Sequence, residues 1–124
     1  MNKLSLAIAS AGIVGILAGC GGVSEVTKER VARATSVVQQ SQQAVGNSEA
    51  GAIEMQRARE YSEAAQNELN KKNADAAERL AIQAQLSAEL AVAKSESAQA
   101  RKAADELTAS IETLRQEAAR SQTP

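Results

Sequence analysis

The sequence predicts an all-α fold, an elongated antiparallel helical hairpin or a three-helix bundle with a long, coiled-coil-like C-terminal helix, and three observations carry the prediction. From Gly22 onward the 124-residue chain is dominated by Ala, Glu, Gln, Lys, Arg and Leu, the residues that lose least on entering a helix. Its only Pro is Pro124, and past Gly22 glycine occurs only at 46 and 51. Apolar residues recur in alternating steps of three and four, which places them on one face of a helix rather than on alternate sides of a strand.

The first helix is predicted over about 24–45, with Val31, Ala34, Val38, Ser41 and Val45 as its apolar stripe. The turn-type run Gly46-Asn47-Ser48-Glu49-Ala50-Gly51 ends it. A second helix follows over about 52–71, with Met55, Ala58, Ser62, Ala65 and Leu69 in line and Ile53 and Tyr61 beside them. Lys72-Asn73-Ala74-Asp75 breaks the pattern. There Asn73 is expected in the left-handed conformation that stops a helix, and Asp75 with Glu78 in a capping-box-like start.

The third helix is predicted over about 75–119, the longest of the three. Leu86, Leu90, Ala93, Ser97, Ala100, Ala104, Leu107, Ile111, Leu114 and Ala118 mark a coiled-coil seam along it. A second stripe, Ala76, Leu80, Ala84, Ser87 and Ala91, points elsewhere, and two apolar faces imply two neighbours. Pairs at i, i+4, namely Glu29 with Arg33, Glu68 with Lys72 and Asp75 with Arg79, are expected on solvated faces. The short connection folds helices two and three into a hairpin over 52–97 that the first helix joins. Beyond 98 the third helix has little cover within the chain. Ala100, Ala104, Leu107, Ile111 and Leu114 are therefore the candidate interaction seam, to be met by the first helix, another copy or a partner.

Composition narrows the function. The chain is 44% hydrophobic, but 27 residues are Ala, and past Gly22 only 18 larger apolar side chains remain. A thick core is not expected; close helix-on-helix contact through Ala takes its place. There is no His, Trp or Phe, and only one Cys and one Tyr. Imidazole chemistry, a disulfide framework, an ordinary zinc site and an aromatic platform for nucleic acid are all excluded, and no cofactor or metal is expected. Net charge is -1 with both signs interleaved, so the footprint of nucleic-acid binding is missing as well.

The first residues stand apart from the helical region. Met1-Asn2-Lys3 is a short positive start, Leu4 to Ile16 is uncharged and apolar, and Leu17-Ala18-Gly19-Cys20 is a small-residue boundary holding the only cysteine. This is the layout of an export signal, and at about 15 residues the apolar run is shorter than the roughly 20 a spanning helix needs. It would also serve a conventionally cleaved secreted protein or an uncleaved short anchor. Leu-Ala-Gly-Cys, however, resembles the lipobox of bacterial lipoproteins in all four positions. That resemblance implies cleavage between Gly19 and Cys20, a diacylglyceryl group on the Cys20 thiol and acylation of the freed amine. Residue 21 is Gly rather than the Asp that resembles an inner-membrane retention signal, which favours the outer membrane. The expected organisation is a removed signal over 1–19, a lipidated cysteine and tether over 20–23, a helical domain over 24–120 and a tail over 121–124.

Ala58-Arg59-Glu60, Ala64-Ala65 and Leu69 before the turn, and Leu80-Ala81, Ala84, Ala88 and Ala91 after it, resemble an alanine-rich lipoprotein family known as domain of unknown function 4398. The resemblance covers about 28–95 and implies a Gram-negative envelope protein; some members resemble this chain followed by a peptidoglycan-binding domain. The family supplies no catalytic residue to carry over. The chain is also similar to the major murein lipoprotein in being small, lipidated and heptad-patterned, but that family ends in a Lys joined to peptidoglycan, where this sequence has Arg120-Ser121-Gln122-Thr123-Pro124.

Candidate chemistry is sparse. Glu60 and Glu63 share a helix face without a concave site to shift their pKa values, and Lys94 lies near Ser95 and Ser97 in a chain rich in both types. Gly46 and Gly51 lack the Lys-Ser/Thr of a phosphate loop, and Tyr61 is expected at the bundle edge. The sequence thus predicts a non-enzymatic, periplasm-facing outer-membrane lipoprotein whose helical domain is a structural or interaction module. Two further readings are a regulatory lipoprotein acting on an envelope enzyme or transporter and a self-assembling coiled-coil spacer. The membrane, a second copy, an envelope protein and non-covalent proximity to peptidoglycan are the partners this leaves.

Overall fold

The computed structural model describes residues 22–121; the predicted export signal, Gly19, Cys20 and residues 122–124 lie outside the described residues. Helix α1 spans Glu25–Val45, α2 Ala52–Asn70 and α3 Ala74–Ser121, and the turn Glu49–Gly51 is a single 3-10 helix. The fold is the all-α bundle with a long C-terminal helix. Ser121, expected in the tail, is still helical.

Each helix boundary has a local cause. The Thr27 N–H donates to the Ser24 hydroxyl at 3.1 Å and so caps the start of α1. Gly46 ends that helix at φ 55°, its N–H donating to the Gln42 carbonyl. At the next turn Lys72 rather than Asn73 takes the left-handed conformation, at φ 62°. The Lys72 N–H donates to the Leu69 carbonyl and the Asn73 N–H to that of Glu68, the paired bonds of a Schellman ending. Asn73 starts α3 instead: its Oδ1 lies 3.5 Å from the Ala76 N–H, and its Nδ2 donates to Glu68 at 2.8 Å. The expected Asp75–Glu78 capping box therefore does not form. Asn73 occupies the cap position, and Glu78 is drawn across to α1.

Cross-helix bonds fix the topology. Thr27 near the start of α1 bonds Glu78 near the start of α3, so these two helices run parallel. Glu54 near the start of α2 meets Lys94, and Thr35 meets Ser62, so α2 runs antiparallel to both. The core lies between the three helices in two layers. Val31, Ala34, Ala65, Ala77 and Ala81 form one, and Val38, Val45, Met55, Ala58, Ala84, Ala88 and Ala91 the other.

The stripes of α1 and α2 face this core as their spacing predicted, with Leu69 half-buried at the edge and Ile53 left in solvent. The reading of α3 needs correction. Its buried face is Ala77, Ala81, Ala84, Ala88, Ala91 and Ser95; of the expected second stripe Ala84 and Ala91 are buried, while Ala76, Leu80 and Ser87 are half-buried at its edge, Leu80 packed against the core. Both neighbours share that single face, because Ala lets two helices approach α3 side by side. Leu86 and Leu90, expected in a seam with a neighbour, are exposed. The expected i, i+4 pairs are replaced as well: Glu68 binds Lys71 at 2.8 Å, since Lys72 has left helical geometry, and Glu29–Arg33 and Asp75–Arg79 do not close among the described residues.

Gly51 fixes how closely α2 starts against α3. A Cβ at this position would overlap the carbonyl oxygen and carbon of Ala91, backbone atoms that cannot rotate aside. Gly51→Ala is expected to cost about 1–3 kcal/mol, the usual range for overpacking. The thermal midpoint followed by circular dichroism is the check, and an unchanged midpoint would show that the contact is not tight.

Candidate functional site

The candidate site is the outer face of α3. One turn every 3.6 residues places the buried positions 77, 81, 84, 88, 91 and 95 on one side of this helix. The positions of the predicted seam, from Leu86 through Ala118, fall on the opposite side. Leu86 is 60% exposed, Leu107 62%, Ile111 42% and Leu114 64%. The predicted residues Ala100, Ala104, Leu107, Ile111 and Leu114 are thus brought onto one continuous face, and α1 does not cover it. Ser95 is the last buried residue of α3, because α1 has ended at Val45 and α2 has not begun before Ala52. From there α3 is exposed, with the turn after α1 still beside Ala98, Gln99 and Lys102, and residues 103–121 project past the bundle by roughly 28 Å at 1.5 Å per residue.

The bundle beneath this face is tied by polar bridges that no local sequence signal announces. Glu78 accepts from the Thr27 hydroxyl at 2.7 Å and from Arg30 at 2.5 Å, and Glu54, nearly buried, accepts from Lys94 at 2.5 Å. The hydrogen bond from Thr27, followed by Arg30, holds the Glu78 carboxyl below its ordinary value of 4.5. The Lys94 hydrogen bond and a bond to its own backbone lower Glu54, and Lys71 with Asn73 lowers Glu68. Each depressed carboxylate contributes stability that is whole above pH 4.5 and is lost as pH falls through its folded value. Urea midpoints measured from pH 7 to pH 3 are therefore expected to drop below about pH 4.5. In Glu78→Gln that acid drop is expected to shrink, because one depressed carboxylate is gone; an undiminished drop would remove Glu78 from the account.

The remaining sequence candidates are dispersed. Glu60 is exposed and accepts from Gln56 at 3.0 Å, and Glu63 is exposed beside it. Lys94 turns to Glu54, while Ser95 is buried and accepts from Gln99, so no Lys–Ser pair is assembled. Tyr61 is half-buried against the layer containing Val38 and Met55, the bundle-edge position expected of it. A shallow cleft lies between α1 and α3, lined by Arg30, Arg33, Glu78, Ala81, Ile82 and Gln85. Its one carboxylate is already bonded to Thr27 and Arg30. Among the described residues no group of three or more Cys, Asp or Glu is placed to hold a metal ion, and no helix is long and apolar enough to cross a membrane. No protein-family model, curated protein or solved structure matches the chain.

Proposed function

We propose that the chain is a non-enzymatic lipoprotein of the outer membrane, held by acyl chains on Cys20, whose helical domain is a structural or interaction module in the periplasm. The observation that carries the interaction role is the uncovered heptad face of α3, half of which stands clear of the bundle. Leu107, Ile111 and Leu114 cost free energy in water, and a single helix has no way to bury them. The anchor rests on Leu17-Ala18-Gly19-Cys20 and on the likeness to alanine-rich envelope lipoproteins.

Geometry and anchor support one another. The start of α1 lies beside the start of α3, so the free half of α3 leaves from the end of the bundle opposite the tether. A chain held at Cys20 thus presents Leu107, Ile111 and Leu114 away from the membrane surface. Three acyl chains at about 0.8 kcal/mol per buried methylene hold such a protein permanently. Radiolabelled palmitate is expected to enter the protein and to be absent from Cys20→Ser, with the labelled form in the outer-membrane fraction. Equal labelling of both would remove the anchor.

A further inference from the structure

We infer that the exposed face of α3 is the interface of a parallel, in-register homodimer, the occupant being the α3 helix of a second copy. The inference rests on reading the chain as an interaction module and adds the partner, its direction and its register. The steps along the face assign Leu86, Leu107 and Leu114 to heptad position d and Leu90 and Ile111 to position a. Ile at a between two Leu at d is the combination that favours two parallel strands.

The flanking charges choose the partner and its direction. The positions just before each a residue include Glu89, Glu96 and Glu117 and no base; those just after each d residue include Lys94, Arg101 and Arg115 and no acid. In a parallel pair a residue of the first set faces the residue five positions later on the other helix. Glu96 then meets Arg101 of the other copy, and the symmetry of the dimer makes the bond twice. Ser110 likewise meets Arg115. In an antiparallel pair each set faces itself, acid on acid and base on base, which is repulsive. Glu96 and Arg101 are both exposed and have no ion-pair partner among the described residues, whereas Lys94 is already held by Glu54. Glu96–Arg101 is therefore the pair that sets the register.

The bundle does not obstruct this arrangement, because α1 and α2 lie on the opposite side of α3. Over residues 96–121 four basic and five acidic side chains alternate, so the face lacks the basic excess that would seat it on an anionic lipid surface. Two copies tethered by their N-terminal ends to one membrane also arrive already parallel.

Cysteine crosslinking of the full chain in the envelope of its bacterial host tests the inference. Ala100→Cys, Leu107→Cys, Ile111→Cys and Leu114→Cys are each expected to give a same-position disulfide dimer on mild oxidation. Gln116→Cys, which points outward, is expected to give at least tenfold less. In the Ile111→Cys background, Glu96→Arg or Arg101→Glu alone is expected to lower the dimer several-fold, and co-expressing the two to restore it, since each charge then finds its opposite. A band at Ile111→Cys no stronger than at Gln116→Cys overturns the dimer; a band at one position only overturns the parallel register. A crosslink from 111 to a different protein overturns self-pairing and leaves an interaction module. The readout does not pass through the anchor. Dimers in a chain without palmitate that are stronger at Ile111→Cys than at Gln116→Cys, and so do not arise from a free Cys20, overturn the lipoprotein reading alone, and palmitate without dimers overturns this inference alone.

Discussion

Ala88→Leu is expected to destabilise the bundle strongly, by about 3 kcal/mol. Ala88 is fully buried in the layer that contains Val38, Met55 and Ala58, where both α1 and α2 approach α3. Three added carbon atoms at that point have nowhere to go. They either force an off-rotamer side chain or push two helices outward, and displacing a helix loses contacts along its whole length. A domain of this size is worth about 5–15 kcal/mol in total, and one so poor in large core residues belongs at the lower end. The control is Ile53→Ala, which removes as many carbon atoms as Ala88→Leu adds yet is expected to change stability by less than about 0.5 kcal/mol, because Ile53 is 65% exposed. Chemical denaturation of both variants is the measurement. If the two effects were equal, the core would not be the Ala-lined contact described above.

That contrast also explains what the sequence could and could not disclose. Helix number, boundaries and the faces of α1 and α2 are local properties: propensity, turn residues and a spacing of three and four determine them, and Val31 through Val45 and Met55 through Ala65 lie where their periodicity puts them. On α3 the same reasoning meets two stripes, and size misleads. The larger side chains look like core, but a bundle with three helices in contact through Ala takes only Leu80 from the leucines of α3, and that at the edge of one layer. The choice between the stripes is made by α1 and α2, whose small buried residues Ala34, Ala58 and Ala65 fit a small-residue face. Cross-helix bonds such as Thr27–Glu78 and Glu54–Lys94 join residues about fifty and forty positions apart, and no local spacing marks them. The exposed seam beyond residue 98 was legible for a simpler reason. Two short helices cannot cover a third that outlasts both of them.

The double substitution Leu107→Asp/Ile111→Asp is expected to separate folding from association. Neither residue touches the bundle, since α3 is exposed throughout from residue 96 to 121. Thermal unfolding of the bundle at high dilution is therefore expected to stay within about 0.5 kcal/mol of the parent. Association responds differently. In a dimer the change removes four apolar side chains from the interface, each worth about 1.5–3 kcal/mol when fully buried. It also sets like charges against each other across the axis. Even with partial burial the dimer constant is expected to fall by at least about a thousandfold. Residues 96–121 report the loss directly. Continuing a helix that the bundle has already nucleated keeps this segment helical, but only a partner protects its amides from opening. Hydrogen exchange is expected to show protection across 96–121 in the parent that disappears in the double variant, with residues 77–95 unchanged in both. Fast exchange over 96–121 in the parent at every concentration would mean that the face stays open to water and that two copies do not pair along it.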